Sequence, residues 1–124
     1  MPHMKRIFAE LKPLGAPVIH FGTGTAALLP TMQEAGGDVM GVDWRTSLTS
    51  ASKSLKPTAL QGNLDPAILL TNPTIVEREA LKIVDEGRTV PGHIFNLGHG
   101  IYPDTPLENV EMLVQVVQQS VVLA

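Results

Sequence analysis

The chain has 124 residues, 44% hydrophobic but only 4% aromatic, and a formal net charge of −3. That length fits one domain around an aliphatic core, and the mild acidity excludes the electrostatic footprint of a nucleic-acid or anionic-membrane binder. With no cysteine there is no disulfide, thiolate metal site or cysteine nucleophile, so a reducing, cytoplasmic setting is expected.

Met4, Ile7, Phe8 and Leu11 recur at helical spacing, and Pro13 and Gly15 end that amphipathic helix. No secretory leader is read there, because Glu10 and Lys12 interrupt any apolar run, and no run later in the chain is long enough to span a bilayer. Pro17–Phe21 predicts a short buried strand opening into Gly22-Thr23-Gly24. Ala26–Ala35 predicts a helix bent near Pro30 and stopped by Gly36-Gly37. Val39–Val42 is a second apolar strand running into Asp43-Trp44-Arg45, and Ser47–Leu55 is a short helix capped by Thr46 or Ser47. Thr58–Gln61 predicts a third strand that ends at Gly62-Asn63. Asp65-Pro66 and Asn72-Pro73 each place a capping side chain before a first-turn proline. The second opens a helix with Val76, Ala80, Ile83 and Val84 on one face and Gly87 as its stop. His93–Leu97 is the fourth strand. Thr105-Pro106-Leu107-Glu108 reads as a capping box, followed by a stripe of Val110, Leu113, Val114, Val117 and Val121.

A helix followed by four βα units implies an α/β fold, a parallel sheet covered by helices. No repeat, linker or low-complexity segment divides the chain, so 1–124 reads as one domain. Either a small doubly wound sheet or part of a (β/α)8 barrel fits. A complete barrel takes about 250 residues, and this chain is about half of that.

In both architectures ligands meet the C-terminal ends of the parallel strands. Four polar clusters fall there: His20 with Gly22-Thr23-Gly24, Asp43-Trp44-Arg45, Gln61-Gly62-Asn63, and Asn96 with Gly98-His99-Gly100. His99 is the strongest candidate, a titratable ring that two glycines leave uncrowded after a strand; its bland alternative is a turn histidine bonded to backbone. His20 lies within a strand and favours a buried, satisfied role over ligand contact. His3 and His93 read as terminus and surface residues. Asp65 and Asp104 read as caps or turn residues, whereas Asp43 is suited to bracing the rim loops or Arg45. Trp44 suits packing on its neighbours at least as well as stacking on a ligand. Gly22-Thr23-Gly24 lacks the rest of a phosphate-binding fingerprint and reads as a tight βα turn. No His and carboxylate spacing suggests a metal site.

These residues carry a family resemblance. His20-Phe21-Gly22-Thr23-Gly24, Gly41-Val42-Asp43-Trp44-Arg45, Leu60-Gln61-Gly62-Asn63-Leu64-Asp65-Pro66, Asn96-Leu97-Gly98-His99-Gly100 and Tyr102-Pro103-Asp104 occur in order over essentially the whole chain. Together they resemble the C-terminal part of uroporphyrinogen decarboxylases. The resemblance implies the C-terminal half of a (β/α)8 TIM-type barrel that uses no cofactor. It implies loss of carbon dioxide from the four acetate arms of uroporphyrinogen III, giving coproporphyrinogen III on the route to haem. His99 then falls on the family's C-terminal functional histidine, a substrate-binding group for a tetrapyrrole carboxylate.

The family's other main groups have no counterpart in this sequence. Missing are its N-terminal arginine motif, the aspartate that holds the pyrrole N–H groups, a mid-chain tyrosine, and a serine or threonine upstream of this region. Pro2-His3-Met4-Lys5 also resembles family sequence, as if the chain began inside a longer one. The isolated chain is therefore expected to be inactive, with uroporphyrinogen as partner and neither nucleic acid nor membrane. A related barrel transferring methyl groups between cobalamin or thiol carriers is an alternative, disfavoured because its zinc is held by histidine and cysteine. The other alternative is a non-catalytic half-barrel that self-associates, since four parallel strands that do not close leave two edges and an apolar face. A homo-oligomer is expected on that ground.

Overall fold

The computed structural model describes residues 1–122, with side chains through Ser120. In chain order the elements are α1 (Pro2–Leu11), β1 (Ile19–His20), α2 (Leu29–Ala35), β2 (Val39–Gly41), α3 (Leu48–Ser54), β3 (Ala59–Leu64), α4 (Pro73–Gly87), β4 (His93–Leu97) and α5 (Leu107–Val122). Single 3-10 turns cover Lys12–Leu14, Ala26–Leu28 and Pro66–Leu70. The helix starts are set by local chemistry: Ser47 accepts from the Ser50 amide and Asn72 from the Ile75 amide, each satisfying an N–H that helical pairing leaves open.

The four strands form one parallel sheet in the order β1-β2-β3-β4. A doubly wound sheet reverses direction at a switch point; this one does not. Register shows the consequence. Met40 lies beside Leu60 and Leu60 beside His93, so Met40, Val42, Leu60, Leu64, Phe95 and Leu97 share a face. These six belong to, or pack against, the apolar clusters under the helices. One cluster joins Leu29, Met32, Leu48 and Ala51 to β2 and β3, and the other joins Leu69, Val76, Ala80, Leu113 and Val116 to β3 and β4. Burial of each large aliphatic side chain there contributes about 1.5–3 kcal/mol. Helices cover one face only, as same-handed crossovers between successive neighbours require, and this is the winding of a (β/α)8 barrel segment.

The opposite face is open. Ile19 is 41% exposed, Phe21 45% and Ile94 44%. The first strand is thus shorter than its apolar run suggests, and two of its apolar side chains are exposed rather than buried. Phe21 lies against Gly41, where an added Cβ would sit 2.9 Å from the phenylalanine side chain.

Four further readings are corrected, the last of them in part. Pro30 sits in the first turn of α2 and starts the helix instead of bending it, after the 3-10 turn at Ala26–Leu28. The third strand continues through Gly62-Asn63 to Leu64, across a cis peptide bond. Gly62 has φ 143°, and a Cβ there would collide with the Val42 carbonyl oxygen, so close approach and not a turn explains that glycine. The expected Thr105 capping box is not formed: the Thr105 hydroxyl is buried without a partner among the described residues, and the Thr105 amide donates to the Tyr102 carbonyl rather than to the Glu108 side chain. The expected stripe of α5 holds at Leu113, which is buried, and at Val110 and Val117, which pack half-buried against the same cluster, but Val114 is 47% exposed and Asn109, Val116 and Ser120 complete the buried face; the Val121 side chain lies outside the described residues.

Candidate functional site at the sheet rim

The carboxyl ends of the strands are braced by Asp43, which follows β2 and is only 4% exposed. Its Oδ2 accepts from the Gly24 amide at 2.6 Å and from Arg45 Nη1 at 2.9 Å, and its Oδ1 accepts from the Arg45 amide at 3.1 Å. Burial pushes the Asp43 carboxyl up, but the Gly24 and Arg45 donors outweigh it and hold the group below the usual carboxylate range. Asn63 extends the brace, its Nδ2 donating to the carbonyls of Asp43 and Thr46. Because both partners are carbonyls, its amide orientation is fixed, and Oδ1 is left buried and unpartnered among the described residues.

Trp44 and Arg45 project from this brace. The Arg45 guanidinium stands 4.0 Å from the centre of the Trp44 ring, a cation–π contact. The His99 ring lies 5.9 Å from Trp44 at an interplanar angle of 83°. The loop carrying His99 approaches because position 98 is glycine: a Cβ there would lie 2.8 Å from Trp44 Cβ and against its backbone nitrogen. The Gly98 amide also donates to the Leu64 carbonyl at 2.7 Å, tying the loop to β3. His99 itself is exposed.

Below His99, on the open face, is a cleft of about 580 Å³. Ile19, Phe21 and Ile101 give it apolar walls, and Gln61, Asn96 and His99 supply polar groups. Such a lining suits a ligand that combines apolar surface with hydrogen-bonding groups. The sequence placed Gln61 and Asn96 at the rim without a role. Strand alternation carries the missing signal, since Gln61 is in register with Ile94, two residues before Asn96, on the uncovered face.

The remaining candidates are structural. His20 points to the helix side, 5% exposed; its Nδ1–H donates toward the carbonyls of Met32 and Gly36, and its ring meets Phe8 at 4.7 Å. His93 is not a free surface residue: its Nε2 bonds the Gly62 carbonyl at 2.6 Å, half-buried beside Phe95. Asp65 caps the turn at Pro66–Leu70 through the Ala67 amide. Asp104 is exposed in the turn before α5, and His3 is exposed on α1. Gly24, with φ 63°, makes the tight turn after β1. A larger cleft of about 620 Å³, lined by Lys5, Phe8, Lys12 and Asp38 among others, lies at the opposite end, beside the amino ends of β1 and β2.

The model of the family described as uroporphyrinogen decarboxylase (URO-D) matches residues 1–120. The chain belongs to this family. Among curated relatives named uroporphyrinogen decarboxylase, that of Thermus thermophilus is 53% identical over 118 residues, 95% of this chain and 35% of the relative. That of Nocardia farcinica is 50% identical over 125 residues, 96% of this chain and 35% of the relative. That of Pelobacter propionicus is 47% identical over 120 residues, again 96% and 35%. The chain thus spans about 35% of the length of the uroporphyrinogen decarboxylases it matches.

Proposed function

We propose that residues 1–124 form one partial-barrel unit of a uroporphyrinogen decarboxylase and that His99 is its contribution to substrate binding. The reaction is decarboxylation of the four acetate arms of uroporphyrinogen III to give coproporphyrinogen III. At each arm the bond to the carboxyl carbon breaks, carbon dioxide leaves and a proton takes its place, so acetate becomes methyl. The family match across residues 1–120 carries this reading. The cleft supports it: an exposed imidazole above an apolar floor can hydrogen-bond a carboxylate while a pyrrole ring lies on Ile19, Phe21 and Ile101. In this reading the reaction needs no cofactor, the setting is cytoplasmic, and the chain alone does not turn over. The groups for pyrrole N–H binding and charge stabilisation come from the rest of a complete barrel.

The test is a chimera in which this chain replaces the 53%-identical segment of the Thermus thermophilus relative. Coproporphyrinogen production is expected from the chimera and none from the isolated chain. His99→Ala in the chimera should raise KM by about tenfold or more, the loss of one charge-assisted hydrogen bond. A folded chimera without activity would sink the proposal. The open face favours a second property that accompanies this one, self-association, because four parallel strands leave Ile19, Phe21 and Ile94 in solvent.

A further inference from the structure

Apart from Trp44, little among the described residues orients the His99 ring: it is exposed, and glycine on each side leaves its backbone without neighbouring side chains to steady it. The indole that meets it is itself clamped. Arg45 stands over the ring at 4.0 Å, Asp43 holds Arg45 at 2.9 Å, and Gly98 brings the His99 loop directly onto the Trp44 backbone. The four residues form one line of contacts from a buried carboxylate to an exposed imidazole. An aromatic pair at 83° is a favoured edge-to-face arrangement that stacking in parallel planes would not reproduce.

We propose that Trp44 is a positioning residue for His99, its clamped indole fixing the direction in which the imidazole meets a substrate carboxylate. This rests on the reading of His99 as a substrate-binding group, but the positioning itself is a property of the free chain. It assigns Arg45 a role through Trp44, as the group that keeps the indole upright, and it explains why position 98 excludes any side chain. Pre-orientation removes rotamer freedom that the substrate would otherwise have to freeze on binding.

Nuclear magnetic resonance on the full chain tests this without any tetrapyrrole. In the unsubstituted chain, cross-relaxation between the His99 ring protons and the indole protons is expected, with one dominant His99 χ1 rotamer in the side-chain couplings. Trp44→Phe should keep that rotamer, because an aromatic edge remains. Trp44→Leu should average it and abolish the ring-current shift, while the amide resonances of β3 and β4 stay in place. Arg45→Met should loosen the same rotamer partway. An averaged His99 in the unsubstituted chain overturns the proposal, and so does an unchanged rotamer in Trp44→Leu. Should Trp44→Leu fail to fold, the unsubstituted chain and Arg45→Met decide the matter: absent ring-to-ring cross-relaxation, or a rotamer that Arg45→Met leaves untouched, overturns it. An inactive chimera with an ordered His99 would reject the decarboxylase reading and leave the positioning intact.

Discussion

At Asp43 burial and hydrogen bonding act on the carboxyl in opposite directions, and the hydrogen bonds win. A native pKa below the unfolded value means that the charged form stabilises the fold. That contribution is fully present above the ordinary carboxylate range, near pH 4, and is lost as pH falls through the lowered native value. Asp43→Asn keeps the shape but removes the charge that the Gly24 amide and Arg45 address. Urea unfolding should show a loss of about 1–3 kcal/mol at pH 7, closing in acid as the pH falls below the lowered native value. An equal loss at both pH values would show that shape, and not charge, is what Asp43 supplies. This residue was partly legible in the sequence: its bracing role followed from its place after a strand beside Arg45. Which rim loop it would brace was not, because the Gly24 amide that donates to it lies 19 residues away in the chain.

Among the elements, β4 matches its expected limits of His93 and Leu97, since an apolar run with turn residues on both sides leaves little choice. The third strand shows the opposite case. Gly62-Asn63 has the composition of a turn, yet the strand continues because the Asn63 amide finds two carbonyls and Gly62 fits beside Val42. Pattern reading sees polarity and cannot see those partners. The same blindness missed the polar part of the buried face of α5. Its valines suggested the buried stripe, but Asn109 is 2% exposed and donates from Nδ2 to the carbonyls of Leu69 and Thr71 at 2.9 and 2.8 Å. Ser120 is satisfied by the Val116 carbonyl at 2.7 Å. Asn109 therefore pins α5 to the turn at Pro66–Leu70, and Asn109→Ala leaves two carbonyls without a donor. A loss of about 1–3 kcal/mol is expected in chemical unfolding, with hydrogen exchange quickening first in α5 and that turn. A neutral result would mean that the valines, and not the amide, hold the helix.

For the whole molecule, the one-sided winding decides what the surface looks like. Every crossover places its helix on the same side, and the other side keeps Phe21 at 45% and Ile94 at 44% exposure. Apolar side chains on an uncovered parallel sheet invite a partner. Sedimentation equilibrium at micromolar concentration is expected to show association, and Ile94→Lys should shift the equilibrium toward monomer without moving the far-UV spectrum. A stable monomer in the unsubstituted chain would argue that the open face is tolerated in water. The two margins of the sheet are unequal in a way that gives such assembly a direction. β1 pairs with its neighbour over two residues, whereas β4 pairs with β3 over five and turns its outer backbone toward an apolar groove of about 390 Å³ beside α5. A strand laid along the β4 margin would meet more open hydrogen-bonding backbone than one laid along β1. In a ring closed head to tail from such units, each seam would pair β4 of one copy with β1 of the next, so the two-residue strand would limit how firmly it is held shut.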